Sequence, residues 1–509
     1  MKISIRQQLK NRKRQIQHRL DRLKLGNTLR PVLTASNIHY EIADRIHGIA
    51  HGGIGAIHLL AQRIGLVGAI DRNLHLLQFH FPFHESDHVL NIAYNALCNG
   101  TCLEDIELRR NDQNFLDALG ARRIPDPTTA GDFCRRFQVQ DIHRLQDTFD
   151  EVRVGVWQNQ PAEFFERATL DCDGTLVGTT GQCKGGMDIA YDGTWGYHPL
   201  LVSLANTREV LRLLNRPGNR PSHEDAAAAL DQAIATCFRG GFQAVLLRGD
   251  TDFSQTEHLD RWNADPRLRF LFGYDCKPNL HEIAEGLPEK AWKKLVRPPR
   301  YQAVTALRAR PANVKDRVVR QRAFETLTLG SEEVAEFNYR PNACKESYRM
   351  IVVRKNITKE KGELRLCDEI RYFFYITNDW VREPDELVFC ANDRCHQENL
   401  LAQLKGGIRA LTAPVDHLES NWAYMVMSAL AWNLKAWFAL TLPEAPGRWQ
   451  AKHRADKAWV LGLEFKAFYN AFLAIPCQIV RQARRVIYRV LAYNPHQTIF
   501  FRLLDALRC

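Results

Sequence analysis

The sequence predicts a layered α/β core carrying a β-rich insertion, with helical regions before and after it. Three observations lead there. Strand-like runs alternate with helical stretches between about residues 165 and 275; residues 300–390 hold four β-rich runs between turn signals; and both flanks place apolar residues at helical spacing. The chain has 509 residues, 45% of them hydrophobic and 25% charged, which suits a folded protein with room for more than one domain.

The first 30 residues carry ten Lys or Arg and one acid, Asp21. With Ile5, Leu9, Ile16, Leu20 and Leu23 loosely in phase, this segment reads as a basic helical arm that orders on DNA, or as a solvated helix. Ile54, Ile57, Leu60 and Ile64 share one helical face. Further helices are expected from Asp87 to Leu97 and from Thr129 to Phe137, the latter capped by Thr128, Thr129 or Asp132. His80, His84, Asp87 and His88 have the makings of a metal cluster, but Pro82 interrupts them and surface or capping roles fit better. Strands are expected at Ala168–Val177, Tyr197–Leu204, Gln243–Leu247 and Leu268–Gly273. Between the second and third, Ser222 or His223 opens an Ala-rich helix running to Phe238, and another helix starts at Ser254. Arg322–Leu329, Glu333–Tyr339, Tyr348–Arg354 and Arg371–Ile376 form the β-rich segment. A helix begins near Asp393. Trp422–Leu440 is apolar but broken by Asn433 and Lys435, so it reads as a buried helix, not a membrane span. The basic C-terminal residues, including Lys466–Leu473 and Val480–Leu491, are expected to be helical. The divisions implied are 1–160, a helical region with its basic arm; 161–445, the α/β core with an insertion at about 295–390; and 446–509, a basic helical tail.

The net charge is +11, an excess that favours a polyanionic partner such as nucleic acid. Thirteen cysteines occur without any C-x-x-C pair, which points to reduced thiols in a cytoplasmic compartment, not to a disulfide scaffold or zinc finger. The polar, basic N-terminus lacks the apolar stretch of a secretory signal, and no membrane association is expected.

The string Thr169-Leu170-Asp171-Cys172-Asp173-Gly174-Thr175 points two ways. It resembles the D-x-D-G-T motif of haloacid dehalogenase-like phosphatases, in which the first Asp is the nucleophile and the second a general acid and base. Against that reading, Glu166 and Arg167 interrupt the preceding strand, and strand-like sequence follows where a helix or cap should open. The lysine and final D-x-x-x-D motifs are also missing. Alternatively, Asp171 and Asp173 share one face of a strand, where either can reach a metal. Asp250 ends the next buried strand, the edge at which α/β sheets commonly place their sites. A third carboxylate comes from the helix containing Arg394, Glu398 and Lys405. At ~100° per residue these three fall within about 40° on one face and span about 16 Å along the axis. Leu400, Leu401, Leu404 and Ile408 fill the neighbouring sector. The stripe can therefore face the sheet, with Arg394 and Lys405 flanking Glu398 as phosphate binders, or it can be an ordinary solvated face.

Taken together, Asp171–Thr175, Tyr197-His198-Pro199-Leu200, Arg216-Pro217-Gly218-Asn219, Arg248-Gly249-Asp250, Gln397-Glu398-Asn399, Ser420-Asn421-Trp422 and Ala431-Trp432-Asn433-Leu434 resemble the DDE transposases of bacterial insertion sequences. The branch is the one marked by a Y-x2-R-x3-E-x6-K signature, and the resemblance covers roughly residues 35–440. It implies an RNase H-like catalytic domain with a β-strand insertion before the glutamate helix. It matches Asp173 (with Asp171 as the alternative), Asp250 and Glu398 to the catalytic, metal-binding triad. Arg394 and Lys405 match the residues that contact transposon-end DNA. Ala391 stands where the signature has tyrosine. The implied cofactor is two Mg²⁺ ions, for which Mn²⁺ can substitute. The implied partners are transposon-end inverted-repeat DNA and target DNA, with a homodimer formed on DNA and a bacterial cytoplasmic, nucleoid-associated location. Trp262, Trp292 and Trp380 are candidates to stack on a flipped base, with core packing the alternative for each. A catalytically silent DNA-binding protein is the remaining alternative.

Overall fold

The computed structural model describes residues 3–23, 47–80, 82–297, 317–318, 321–361, 364–482 and 485–508. Residues 24–30 of the basic arm, 35–46 at the start of the expected family likeness, and 298–316 and 319–320 at the start of the expected insertion lie outside the described residues.

At the centre is a nine-stranded mixed sheet. Its strands are β1 (Ala168–Gly174), β2 (Leu200–Leu204), β3 (Glu209–Leu214), β4 (Val245–Gly249), β5 (Leu268–Tyr274), β6 (Lys293–Lys294), β7 (Glu325–Tyr339), β8 (Tyr348–Lys361) and β9 (Leu364–Thr377). Across the sheet they run β3-β2-β1-β4-β5-β9-β8-β7-β6. β1 and β4 are parallel, as are β4 and β5. β2 is antiparallel to both β1 and β3. Five strands in the order 3-2-1-4-5, with only the second reversed, make an RNase H-like core. Leu170, Leu246, Leu247, Phe270 and Phe272 are fully buried in it, because parallel strands are covered on both faces. The chain leaving β1 turns into the antiparallel β2 and not into a helix, so the phosphatase topology is excluded.

The β-rich segment continues the same sheet. β9 pairs antiparallel with β5, Phe374 opposite Tyr274 and Thr377 opposite Leu271. Because β9 runs against β5, its first half projects beyond the C-terminal end of β5. The inner halves of β7–β9 are buried through Val334, Ala335, Met350, Ile351, Val352, Val353, Phe374 and Ile376, whereas Leu327, Leu329 and Ile370 farther out are exposed. Arg322–Leu329 and Glu333–Tyr339, expected as two runs, fall from Glu325 onward in one strand whose register shifts between Leu329 and Ser331. Gly330 sits at that bulge.

The helices follow from sequence as expected, with local differences. α1 (Ile3–Leu23) is largely exposed, with Arg12 donating to the carbonyls of Val490 and Ala492 at 3.1 Å. α2 (Ile54–Arg63), α3 (Leu66–Asn73), α4 (Glu85–Leu97), α5 (Pro127–Arg135) and α6 (Val139–Trp157) form the N-terminal helical layer. The cap of α5 is Asp126, whose carboxylate accepts from the Thr129 amide at 2.8 Å, with Pro127 in the first turn; Thr128, Thr129 and Asp132 are not the cap. His84 caps α4 and His88 stacks on Phe133, so the histidine cluster has structural roles. α7 (Ala226–Gly240) begins after Ser222 and His223, because Arg216 holds the preceding loop by donating to the carbonyls of Pro221, Ser222 and Glu224. α8 (Cys395–Ala402) carries Glu398, and α9 (Leu418–Leu440), α10 (Gln450–Gly462) and α11 (Gln497–Arg508) follow.

α9 is buried on every side from Ser420 to Leu440, as an all-round apolar helix must be. Its polar residues serve the exposed edge of the sheet at β3. Asn433 accepts from the Val210 amide at 2.8 Å and donates to its carbonyl at 3.0 Å. Trp422 donates to Leu213 O and Trp432 to Arg208 O. Backbone groups that would be orphaned by burial are thereby paired. Lys435 donates to Leu461 O at the end of α10, and burial lowers its ammonium to about 7. At the start of β3 the buried Glu209 accepts from Arg153 (3.0 Å), Trp157 (2.9 Å), Thr207 (2.6 Å) and Trp437 (2.8 Å), tying α6 and α9 to the sheet.

One C-terminal expectation is overturned. Val480–Leu491 is a β-hairpin, Cys477–Gln482 against Arg485–Val490, completed by Gly48–Ile49. Val486, Ile487, Tyr488 and Val490 favour extended backbone, and Cys477 and Ile479 bury one face. Among the described residues no single helix is long and apolar enough to cross a membrane.

Candidate active site

β1 and β4 lie side by side, with Asp171 opposite Arg248. Two residues further along each strand bring Asp173 and Asp250 out at the same sheet edge. The two acids of β1 part company here. Asp171 is 1% exposed and both its oxygens are held by Arg248, at 2.7 and 2.8 Å. Arg248 also donates to Cys390 O at 2.7 Å. Asp171 is therefore a buried structural ion pair. Asp173, at the mouth, has its side chain 14% exposed.

The Arg394 guanidinium spans the two outer acids. Its Nη1 donates to Asp173 Oδ2 at 3.1 Å, and its Nη2 lies 3.8 Å from Asp250 Oδ2. Burial pushes Asp173 up to about 6; Arg394 opposes the rise, while the charges of Asp250 and Glu398 add to it. Asp250 is raised as well, first by burial against Arg394, with Asp252 and Asp275 contributing. Asp252 and Asp275 thus act as neighbouring charges. Glu398 is exposed on α8 and acts on Asp173 through its charge. Lys405 lies on the π-helical turn Gln403–Gly407 that continues α8, off the ideal α-helical angle. Burial lowers its ammonium, and Asp173 counters that. Arg394 is thus in direct contact with Asp173 and close to Asp250, with Glu398 and Lys405 within electrostatic reach of Asp173.

Three supporting residues were not assigned roles from sequence. Gln397 is buried and takes the Ser203 hydroxyl on its side-chain oxygen, which seats α8 on β2. His198 donates from Nδ1 to Arg220 O at 2.8 Å. A Cβ on Gly174 would come within 2.8 Å of His198 Nε2, so glycine beside Asp173 lets the ring approach. Arg248 fixes Asp171. Gln397, His198 and Arg248 each stand next to or within a conspicuous motif, which was the available signal. Ala391, at the tyrosine position, packs against a small core of Leu246, Leu271, Val353 and Leu387.

The tryptophans divide by position. Trp262 is buried and donates to Asp231 at 3.0 Å; Trp292 is buried under the Arg354 guanidinium. Trp380 is exposed but follows β9, which runs against β5, so it sits at the sheet edge opposite Asp173 and Asp250.

Among the described residues, no group of three or more His, Cys, Asp or Glu side chains is gathered tightly enough to hold a metal ion. The Arg394 guanidinium provides the positive charge between the aspartates.

The family described as transposase DDE domain group 1 matches residues 47–509. The chain belongs to this transposase family. The match takes in the helical N-terminal layer, the whole sheet and the C-terminal hairpin of the transposase. A solved piggyBac transposase synaptic complex with hairpin DNA is similar at 13% identity and a TM-score of 0.33, over 82% of this chain and 86% of that chain. That likeness is too slight to carry an argument about the transposase site. A search of curated proteins finds no match.

Proposed function

We propose that this transposase cuts DNA at the ends of its element and joins them to target DNA by metal-dependent phosphoryl transfer. Asp173, Asp250 and Glu398 are the ligands in this reading, with Asp171 set aside because Arg248 takes both its oxygens. The observation that supports it best is one guanidinium addressing Asp173 and Asp250 together. Two carboxylates that face one cation can face another, and an all-oxygen donor set suits Mg²⁺ or Mn²⁺. Two such ions, when bound, supply activation of the attacking oxygen and stabilisation of the leaving one.

The residues have distinct parts in this scheme. Asp173, raised to about 6, binds as the carboxylate, so occupancy of the site should fall as pH drops below about 6. Glu398 is the mobile third ligand, since it is exposed on a helix whose position Gln397 fixes. Arg394 exchanges its carboxylate partners for a DNA phosphate, and Lys405 supports the same backbone. Water attack at the element's end would free a 3′-hydroxyl, which then attacks a target phosphate at the same site. The partners are inverted-repeat end DNA and target DNA, held by a homodimer in the bacterial cytoplasm. Membership of the Y-x2-R-x3-E-x6-K branch belongs to this proposal, with Ala391 as its departure.

A DNA-binding protein without catalysis is the second reading, favoured by the absence of a compact metal-binding cluster among the described residues. One experiment separates the two. DNA carrying the repeats that flank the gene is incubated with Mg²⁺ and wild-type, Asp173→Ala, Asp250→Ala or Glu398→Ala protein. Cleavage by wild type alone, with DNA retention by all four, supports the transposase mechanism. Salt-sensitive retention without cutting by wild type supports the silent binder.

A further inference from the structure

Between β1 and β2 the chain builds a small finger. Val177–Gly178 pairs with Trp195–Tyr197, which pairs in turn with Asp188–Ile189. The finger's turn is closed by Gly193 N to Ala190 O at 2.9 Å and Ala190 N to Thr194 O at 2.8 Å. Its base is anchored on several sides. Tyr197 donates to Gly185 O at 2.9 Å, Lys184 donates to Val415 O at 2.6 Å, and Asn219 donates to Asp188 at 2.7 Å. Gly218 fits so closely that a Cβ there would lie 2.4 Å from Asp188 O.

This anchored element carries aromatic side chains that none of the described residues covers. Ile189 and Trp195 are directly opposite each other, and Tyr191 stands two residues beyond Ile189 in the turn that closes the hairpin. Tyr191 is 92% exposed, Trp195 50% and Ile189 47%, whereas Ala190 and Gly196 on the other side are buried. A solvated turn has no need of two aromatic rings on a fixed scaffold.

The finger rises at the edge where Asp173 and Asp250 emerge, because Leu200 at the start of β2 is opposite Gly174. Trp195 is five residues before Leu200, at most about 17 Å along extended chain at ~3.4 Å per residue. That reach matches roughly five nucleotides of one DNA strand at ~3.4 Å each. A second copy of the chain would need a larger surface: two rings and one isoleucine offer at most about 500 Å², against ~800 Å² per partner in a stable interface.

We propose that Tyr191 and Trp195 form a stacking platform for nucleobases of the DNA strand held at Asp173 and Asp250, within about five nucleotides of the scissile phosphate. The proposal rests on the transposase reading and adds the residues that hold the bases beside the cut. Flat rings with every base face available give a sequence-tolerant grip, so the platform positions the strand without choosing its sequence.

The test uses the full chain and end-repeat DNA with 5-iodouracil placed singly at each of the last eight positions. Irradiation of wild type should give one strong cross-link within five nucleotides of the cleavage site, mapping to the peptide that holds Tyr191 and Trp195. Tyr191→Ala/Trp195→Ala should lose that cross-link and bind end DNA roughly 10- to 100-fold more weakly, while its circular dichroism spectrum stays that of the folded wild type. Tyr191→Phe/Trp195→Phe should restore binding to within about threefold, since ring faces are kept. Wild type that cuts DNA but cross-links elsewhere overturns the platform and leaves the transposase reading intact. The platform is overturned in the same way if the double alanine variant binds and cuts like wild type, or if its only defect is loss of a dimer formed without DNA. Wild type that does not bind end DNA sinks both.

Discussion

Asp173→Asn should make the metal-free protein more stable at neutral and alkaline pH, although it removes a charge that touches Arg394. The carboxylate is mostly buried, and its ordinary value of 3.8 is raised to about 6 even with Arg394 beside it. Its ionised form is therefore less at ease in the folded state than in the unfolded chain. The rise corresponds to about 3 kcal/mol at ~1.4 kcal/mol per pH unit. Its sign follows from proton uptake. Below about pH 4 both states are protonated and Asp173 has no effect. Between about 4 and 6 the folded state binds the extra proton, so stability falls as pH rises, and above 6 the full penalty applies. Asparagine is isosteric, keeps an oxygen for Arg394 and escapes the penalty. Urea unfolding of both proteins in EDTA at pH 8, 6 and 4 measures it. The variant should be more stable by about 3 kcal/mol at pH 8, and the two should converge near pH 4. A variant less stable than wild type at pH 8 would refute the reasoning, because it would mean that Arg394 outweighs burial. Adding Mg²⁺ should then stabilise wild type and leave the variant unmoved.

The other expectations concern neighbouring groups. Arg394→Ala should bind Mn²⁺ roughly tenfold more tightly, equivalent to ~1.4 kcal/mol, in calorimetric titration, since the guanidinium competes for the same oxygens; weaker binding would show that Arg394 helps shape the site. Asp171→Ala should destabilise the fold by about 3 kcal/mol, because the buried Arg248 guanidinium loses both carboxylate oxygens and no side-chain acceptor replaces them, read as a lower urea midpoint at pH 8; an unchanged midpoint would show that the pair does not hold the two strands together. Glu209→Ala should cost about 3 kcal/mol or more because the buried N–H groups of Trp157, Trp437 and Arg153 Nε lose their acceptor, although Arg153 keeps Asp150, and a midpoint within experimental error of wild type would show that the network is dispensable. Gln397→Ala should slow DNA cleavage by a factor on the order of 100 while end-DNA binding survives, since a small misplacement of α8 moves Glu398; unchanged cleavage would mean that Ser203 does not seat the helix.

Much of this architecture was legible from residue pattern. β1 was expected as a strand containing Asp171 and Asp173, β4 as a short apolar strand leading to Asp250, and α9 as an apolar helix whose Asn433 and Lys435 had to be satisfied inside the protein. The outer halves of β7–β9 gave a weaker signal. There both faces are solvated, so alternation of apolar and polar residues disappears, and Gly330 broke one strand into two apparent runs. The C-terminal hairpin was hidden by its arginines, which suit a basic helix as well as an exposed ribbon. Within the site, helical spacing placed Arg394 on the same face as Glu398 but not against Asp173. Periodicity gives the face of a helix and says nothing about which acid an arginine will reach. The separation of Asp171 from Asp173 likewise depends on Arg248, a partner 77 positions away, and no local pattern contains it. The aromatic finger went unseen because its strands are two or three residues long.

The most direct test of the central claim is a crystal structure of the end-DNA complex in Mn²⁺, with anomalous scattering locating the metal. One or two peaks within about 2.5 Å of oxygens from Asp173, Asp250 and Glu398, with Arg394 moved onto a phosphate, are what the account predicts. Metal bound without Glu398, or Arg394 still lodged between the two aspartates beside cleaved DNA, would contradict it.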